Sequence, residues 1–130
     1  MERRPSTPIG ATFVGPRHEL IPGAISDLIA FAHRVDVPAL PQIAVSHAQF
    51  ETIHPFTDGN GRTGRALVQA MLRTKGLTRQ VTVPVSAGLL ADTGAYFAAL
   101  TSYRDGDAAP IVESFSQATI LAIGNGRRHW

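Results

Sequence analysis

The sequence predicts an all-α domain, mainly helical with about five or six helices, that carries one small β-hairpin flap. Three observations predict it. Apolar residues recur at three- and four-residue spacings along most of the chain, Pro38, Pro55, Gly76 and Gly106 punctuate those stripes, and the β-favouring runs are all short. At 130 residues the chain fits a single domain, and 44% hydrophobic against 17% charged residues is enough apolar material to bury a core.

Residues 1–11 hold two prolines, a glycine and a basic pair, and read as a lead-in segment without helical pattern. The domain proper is expected over 12–126, with 127–130 as a tail. Thr12, Phe13 and Val14 form one β-favouring run and Leu20 and Ile21 another; Gly15–Glu19 between them suits a turn, so a small hairpin is expected. Ile25, Leu28, Ile29, Ala32 and Val35 then mark a first helix that stops before Pro38. A second helix opens near Pro41 and carries Ile43, His47, Phe50 and His54 at spacings of four, three and four. Pro55 ends it, because a residue before proline is pushed out of the helical region. A third helix, with Asn60 as a candidate cap, carries Leu67, Val68, Met71 and Leu72 up to Gly76. Val81–Val85 is proline-interrupted and reads as a connector. Asp92 opens a fourth helix with Tyr96, Phe97, Leu100 and Tyr103 inward. Asp107 and Pro110 open a fifth through Ile111, Val112, Phe115, Ala118, Ala122 and Ile123.

Composition excludes several classes of function. The formal charge of +2 comes with scattered arginines and a single lysine, Lys75, which is no nucleic-acid footprint. With no cysteine, the chain has no disulfide framework, thiolate metal site or thiol nucleophile. No apolar run approaches a membrane span, and the first residues lack a signal-peptide pattern, so the expected setting is cytoplasmic.

Chemistry concentrates between the second and third helices, in His54-Pro-Phe-Thr-Asp-Gly-Asn-Gly-Arg-Thr-Gly-Arg65. Gly59 and Gly61 flank Asn60 just before a helix start, where backbone N–H groups can converge on an anion and the helix dipole adds positive potential. Arg62 and Arg65 are three apart, near one helical face, and can reach the same anion with planar donor forks. A lone carboxylate, Asp58, is unwelcome at such a cradle unless Mg²⁺ bridges it to phosphate oxygens. His54 adds an imidazole, the commonest general base. Base, metal carboxylate and phosphate nest are the parts that phosphoryl or nucleotidyl transfer needs. Residues 59–64 also match G-x-G-x-x-G, but the helical character of the preceding segment argues against a dinucleotide fold, and no lysine strand or catalytic loop follows to make a kinase.

The segment His54–Arg65 resembles the signature of the Fic family, H-P-F-x-[D/E]-G-N-G-R-x-x-R, at every defined position. The order of hairpin, helix, signature-bearing helix and later helices is also similar. The resemblance implies protein adenylylation: AMP moves from ATP to a Ser, Thr or Tyr hydroxyl of a target protein, or of the protein itself, and pyrophosphate leaves. It implies His54 as general base, Asp58 as the Mg²⁺ ligand, and the N–H groups near Gly59, Asn60 and Gly61 as an anion hole. Asn60's amide would steady the phosphates, with Arg62 on the β-phosphate and Arg65 on the γ-phosphate. Phe56 would point into the core and fix the loop. Thr12, Phe13, Val14, Leu20 and Ile21 would form a flap that holds a target segment by strand-like pairing.

Family members are often restrained by a glutamate in [S/T]-x-x-x-E-[G/N] that pairs with the second signature arginine. Gly15, His47 and Ala109 stand four residues before Glu19, Glu51 and Glu113, so that motif is not in this sequence. The resemblance then implies an inhibitor supplied by a separate antitoxin-like protein or by an N-terminal helix preceding this stretch, and the second is favoured because helices usually precede the flap. Homodimers are common in the family. Relatives that move a phosphoryl or phosphocholine group, and a non-catalytic nucleotide-binding or interaction module, remain the alternatives; the intact Gly-Asn-Gly-Arg favours AMP transfer.

Overall fold

The computed structural model describes residues 16–77 and 85–128, and these are helical throughout, joined by short turns. A single 3₁₀ turn at His18–Leu20 leads into six α-helices: α1 (Ile21–Ala32), α2 (Ala39–Ile53), α3 (Asn60–Thr74), α4 (Val85–Leu90), α5 (Thr93–Arg104) and α6 (Ala109–Arg128). None of these is long and apolar enough to cross a membrane.

The centre is α2. Nine of its fifteen residues are buried, on more than one face, because α1, α3, α5 and α6 all pack against it. One side of α2 gives Ile43, Ala44 and Ala48 to the main core, where they meet Val68, Met71 and Leu72 of α3, Tyr96, Ala99 and Leu100 of α5, and Ile111, Phe115 and Ala118 of α6. The other side gives Phe50 and Ile53 to a smaller cluster under Leu28 of α1. Gln42, fully buried, ties the start of α2 to the end of α1: its Nε2 donates to the carbonyls of Phe31 and Arg34, both 2.8 Å away. Phe31 O belongs to the last turn of α1, where a helix leaves carbonyls without intrahelical donors, and Arg34 O lies just past it.

Pro41 sits in the first turn of α2, where no N–H is needed, and the helix begins slightly ahead of the expected point. Gly76 and Gly106 close α3 and α5 in the same way: Leu77 N–H reaches Leu72 O (2.9 Å) and Asp107 N–H reaches Ser102 O (2.8 Å), the paired pattern of a Schellman end. Asp92 caps α5 by accepting from Ala95 N–H at 3.1 Å, as its position suggested.

Three expectations need correction. Leu20 and Ile21 are not a strand; they are the end of the 3₁₀ turn and the first residue of α1, because Pro22 in the first turn is preset for a helix and suits no hairpin arm. No strand occurs among the described residues, and Thr12, Phe13 and Val14 lie outside them. Helix α1 stops at Ala32, and Val35, expected on its inner stripe, is 95% exposed in the following turn. Finally, α4 was unexpected. It lies on α6 with so little clearance that a Cβ at Gly88 would come within 3.1 Å of Ala118 Cβ.

Phe115 is fully buried, with its ring centroid 5.2 Å from that of His47. Phe115→Ala should lower stability by about 3–5 kcal/mol, read as a shift of the urea midpoint; a shift below about 1 kcal/mol would mean that α6 does not close the core.

Candidate active site

The chain leaves α2 by an abrupt turn of the backbone. His54 has φ 52° and ψ 60°, the one non-glycine residue with positive φ among those described, and its N–H still closes on Phe50 O at 3.0 Å. A left-handed histidine costs roughly 1–2 kcal/mol. Pro55 cannot continue the helix, so the chain turns here and presents His54 exposed at the helix end.

The loop is held from the other side by Asn60. Its Oδ1 accepts from Phe56 N–H (3.0 Å) and its Nδ2 donates to Phe56 O (2.8 Å), and the side chain is buried. Both polar ends of the amide are therefore engaged in fixing the loop. Asn60 is not the cap: it is the first residue of α3, and Gly59, with φ 78°, stands before it. Phe56 anchors the loop through its backbone, not through core burial. Its ring is 51% exposed and leans on Phe50 at 6.3 Å, because α1 and α2 already fill the space beneath.

α3 has no side-chain cap, and Thr63 N–H is the first to find an intrahelical carbonyl, that of Gly59 at 3.0 Å. The N–H groups of Asn60, Gly61 and Arg62 thus have no partner within the helix, at its positive end. Both guanidinium groups fold back toward the same turn. A Cβ at Gly59 would sit 3.4 Å from Arg62 Nη2, and one at Gly61 only 3.0 Å from Arg65 Nη1. The two glycines make room for the arginines. Asp58 is exposed at the rim, and among the described residues no three His, Cys, Asp or Glu side chains gather into a metal cage. The structure therefore brings His54, Asp58, Gly59, Asn60, Gly61, Arg62 and Arg65 into one loop and helix start.

Beneath that start lies a polar cluster whose roles the sequence pattern left unassigned. His47, placed on the inner stripe of α2, is fully buried with Nδ1 3.1 Å from Gly64 O and Nε2 2.5 Å from Tyr96 Oη. A Cβ at Gly64 would collide with Glu51 Oε2 and approach His47 Cε1 at 3.3 Å, so α3 rests directly on these two side chains. Arg104 of α5 donates to Thr52 Oγ1 (3.2 Å) and to Glu51 O (3.4 Å) at the end of α2. The available signal was the histidine and glutamate four apart on one face of a helix. A cavity of about 390 Å³ opens nearby, lined by Gln49, Thr52, Tyr103, Arg104, Gly106 and Ala108, and no loop residue lines it.

Burial sets the charge states of this cluster. It pushes His47 down to about 4 and Glu51 up to about 7, the latter against the opposing pull of Arg104 and Arg65. His47 Nε2 and Glu51 Oε2, 4.0 Å apart, are therefore not an ion pair near neutral pH, since the imidazole is neutral. The usual values are 6.5 and 4.5. Between pH 4.5 and 6.5 the folded protein keeps a proton on Glu51 that the unfolded chain releases, which makes stability fall as pH rises. Over pH 4 to 6.5 it lacks a proton on His47 that the unfolded chain holds, which makes stability rise. The slopes oppose one another, and above 6.5 only the Glu51 loss continues, to about pH 7. Glu51→Gln should therefore steepen the rise of stability from pH 4 to 6.5 and raise stability at pH 8, measured as urea midpoints across a buffer series. A uniform offset at all pH values would contradict it. Asn60→Ala, which removes both bonds to Phe56, should cost about 1–3 kcal/mol in the same measurement, and a neutral result would mean that the loop holds itself.

Comparison with known proteins converges on one family. The sequence model of the Fic/DOC family matches residues 2–72. A probable protein adenylyltransferase from Aquifex aeolicus is 36% identical over 69 residues, 52% of this chain and 22% of that protein. Protein adenylyltransferase Fic from Nematostella vectensis is 36% identical over 80 residues, 62% of this chain and 17% of that protein. The chain thus spans about a fifth of the length of these relatives. The crystal structure of a Fic family protein from Desulfovibrio desulfuricans G20 superposes with a TM-score of 0.81 at 28% identity, over 93% of this chain and 38% of that one.

Proposed function

This chain belongs to the Fic/DOC family, and from that premise we propose that it is a protein adenylyltransferase, transferring AMP from ATP to a Ser, Thr or Tyr hydroxyl. The observation that carries the proposal is the first turn of α3. Unpaired N–H groups and two guanidinium groups meet there over glycines, and His54 stands at the other end of the same short loop. The similarity to proteins named as adenylyltransferases supports the same reading.

In this mechanism the triphosphate lies on the α3 terminus. Arg62 takes the β-phosphate and Arg65 the γ-phosphate, while the N–H groups of Asn60, Gly61 and Arg62 receive the charge that develops on the oxygens. Asn60 contributes by holding the loop through Phe56. His54 accepts the proton of the target hydroxyl as that oxygen bonds to the α-phosphorus. The bond from the α-phosphorus to the bridging oxygen breaks, and pyrophosphate leaves toward the two arginines. A single exposed carboxylate fits Mg²⁺ only together with substrate oxygens, so Asp58 is the residue that would hold the ion, which would supply charge neutralisation for the phosphates.

With α-labelled and γ-labelled ATP supplied in parallel, protein should acquire label from the α position alone, on a target and on the chain itself. Label arriving from the γ position would make the protein a phosphotransferase and overturn the proposal. His54→Ala should reduce labelling by about 10²-fold or more while ATP still binds; unchanged labelling would remove His54 from the role of base.

A further inference from the structure

We propose that Tyr96 and His47 are positioning residues for the phosphate nest, acting through a directed chain of hydrogen bonds from the Tyr96 hydroxyl through the His47 ring to the Gly64 carbonyl. The inference rests on the reading of α3's first turn as the anion site. Nothing in His54–Arg65 requires it, because Tyr96 belongs to α5 and His47 to the interior of α2.

The direction of the chain follows from what each atom can do. Gly64 O only accepts, so His47 Nδ1, 3.1 Å away, carries the proton. A neutral imidazole then has a lone pair on Nε2, and the Tyr96 hydroxyl, 2.5 Å away, must donate to it. Burial keeps the ring neutral near pH 7. The opposite tautomer would set the Nδ1 lone pair against the Gly64 carbonyl. The Gly64 carbonyl thus selects the tautomer, since a hydroxyl can donate or accept, and Tyr96 satisfies the buried Nε2 lone pair that this tautomer leaves.

Gly64 is where such a hold matters. It lies three residues beyond Gly61, about 4.5 Å along the helix axis, and directly before Arg65. The apolar contacts of Val68, Met71 and Leu72 farther along α3 are non-directional and tolerate a small slide or rotation. A hydrogen bond to one carbonyl does not. The missing side chain at Gly64 lets the ring approach the backbone itself, so the bond sets the height and rotation of the turn that carries Gly61, Arg62 and Arg65.

Inorganic pyrophosphate, the leaving group of the proposed reaction, is the probe, with affinity read by calorimetry on the whole chain. Tyr96→Phe keeps the ring and removes the donor, and His47→Leu removes the chain; they should weaken binding by about three- to fivefold and five- to tenfold. His47→Asn returns an N–H near the place of Nδ1 and should bind within about twofold of the unaltered protein. Ile111→Ala, a fully buried cavity variant on α6, should lose stability and keep its affinity. In nitrogen-15 spectra, His47 should be the Nδ1–H tautomer, and in Tyr96→Phe its Nε2 signal should shift as the donor is lost. The proposal is overturned by an Nε2–H tautomer in the unaltered protein, by unchanged affinity in Tyr96→Phe and His47→Leu, by failure of His47→Asn to restore binding, or by an equal loss in Ile111→Ala. If the unaltered protein binds no pyrophosphate, both this inference and the nest reading fall. If it binds pyrophosphate but transfers no AMP, only the proposed function falls, and the affinities and spectra still decide the role of Tyr96 and His47.

Discussion

The first turn of α3 can lie on α2 because residue 64 has no side chain. Even a methyl group at Gly64 would overlap the Glu51 carboxyl and press on the His47 ring. Much of the architecture is arranged around that contact. α2 is buried on several faces because it must carry α3 on one side and α1 on another, and α5 and α6 complete the wall with Tyr96 and Phe115 beside His47. A helix start held against a buried, directional partner is a firm platform. The loop that precedes it inherits that firmness through Asn60.

The charge distribution follows from the same burial. Under α3 the two ionisable side chains of α2 are both driven toward their neutral forms, His47 by losing a proton and Glu51 by keeping one. Less negative charge then lies beneath the helix terminus than a free glutamate would place there, and two guanidinium groups fold against that terminus. Arg104, at the end of α2, complements that helix's carbonyl terminus, where its positive charge is favourable. One end of the α2–α3 connection thus presents two guanidinium groups, while beneath it His47 is neutral and Glu51 is held up at about 7.

The loop itself uses backbone conformation more than side-chain bulk. A left-handed histidine, a proline that cannot continue the helix and a left-handed glycine redirect the chain within six residues. The two bonds from Asn60 to Phe56 fix that path, so Phe56 needs no deep burial and its ring rests at the surface on Phe50. Small residues at 59 and 61 leave space that the guanidinium groups occupy.

The sequence by itself determined the helical class, since the stripes of α2, α3, α5 and α6 follow from local spacing, and their ends from Pro55, Gly76, Asp92 and Gly106. It also determined the site loop, because its working residues are contiguous and their chemistry is carried by residue type and order. Only the tertiary structure decided how the loop is held: Asn60 is buried and bonded to the Phe56 backbone, while Phe56 itself stays at the surface beside Phe50. Leu20 and Ile21 have strand-favouring side chains, yet Pro22 and the packing of α1 on α2 made them helical. α4, six residues long and containing Gly88, is too short to carry a periodic signal, and its contact with α6 supplies what propensity lacks. The cluster of His47, Gly64 and Tyr96 joins residues seventeen and forty-nine positions apart. Hydrogen bonds over such separations leave no local pattern, because each partner separately reads as an ordinary core or helix residue until the chain has folded around it.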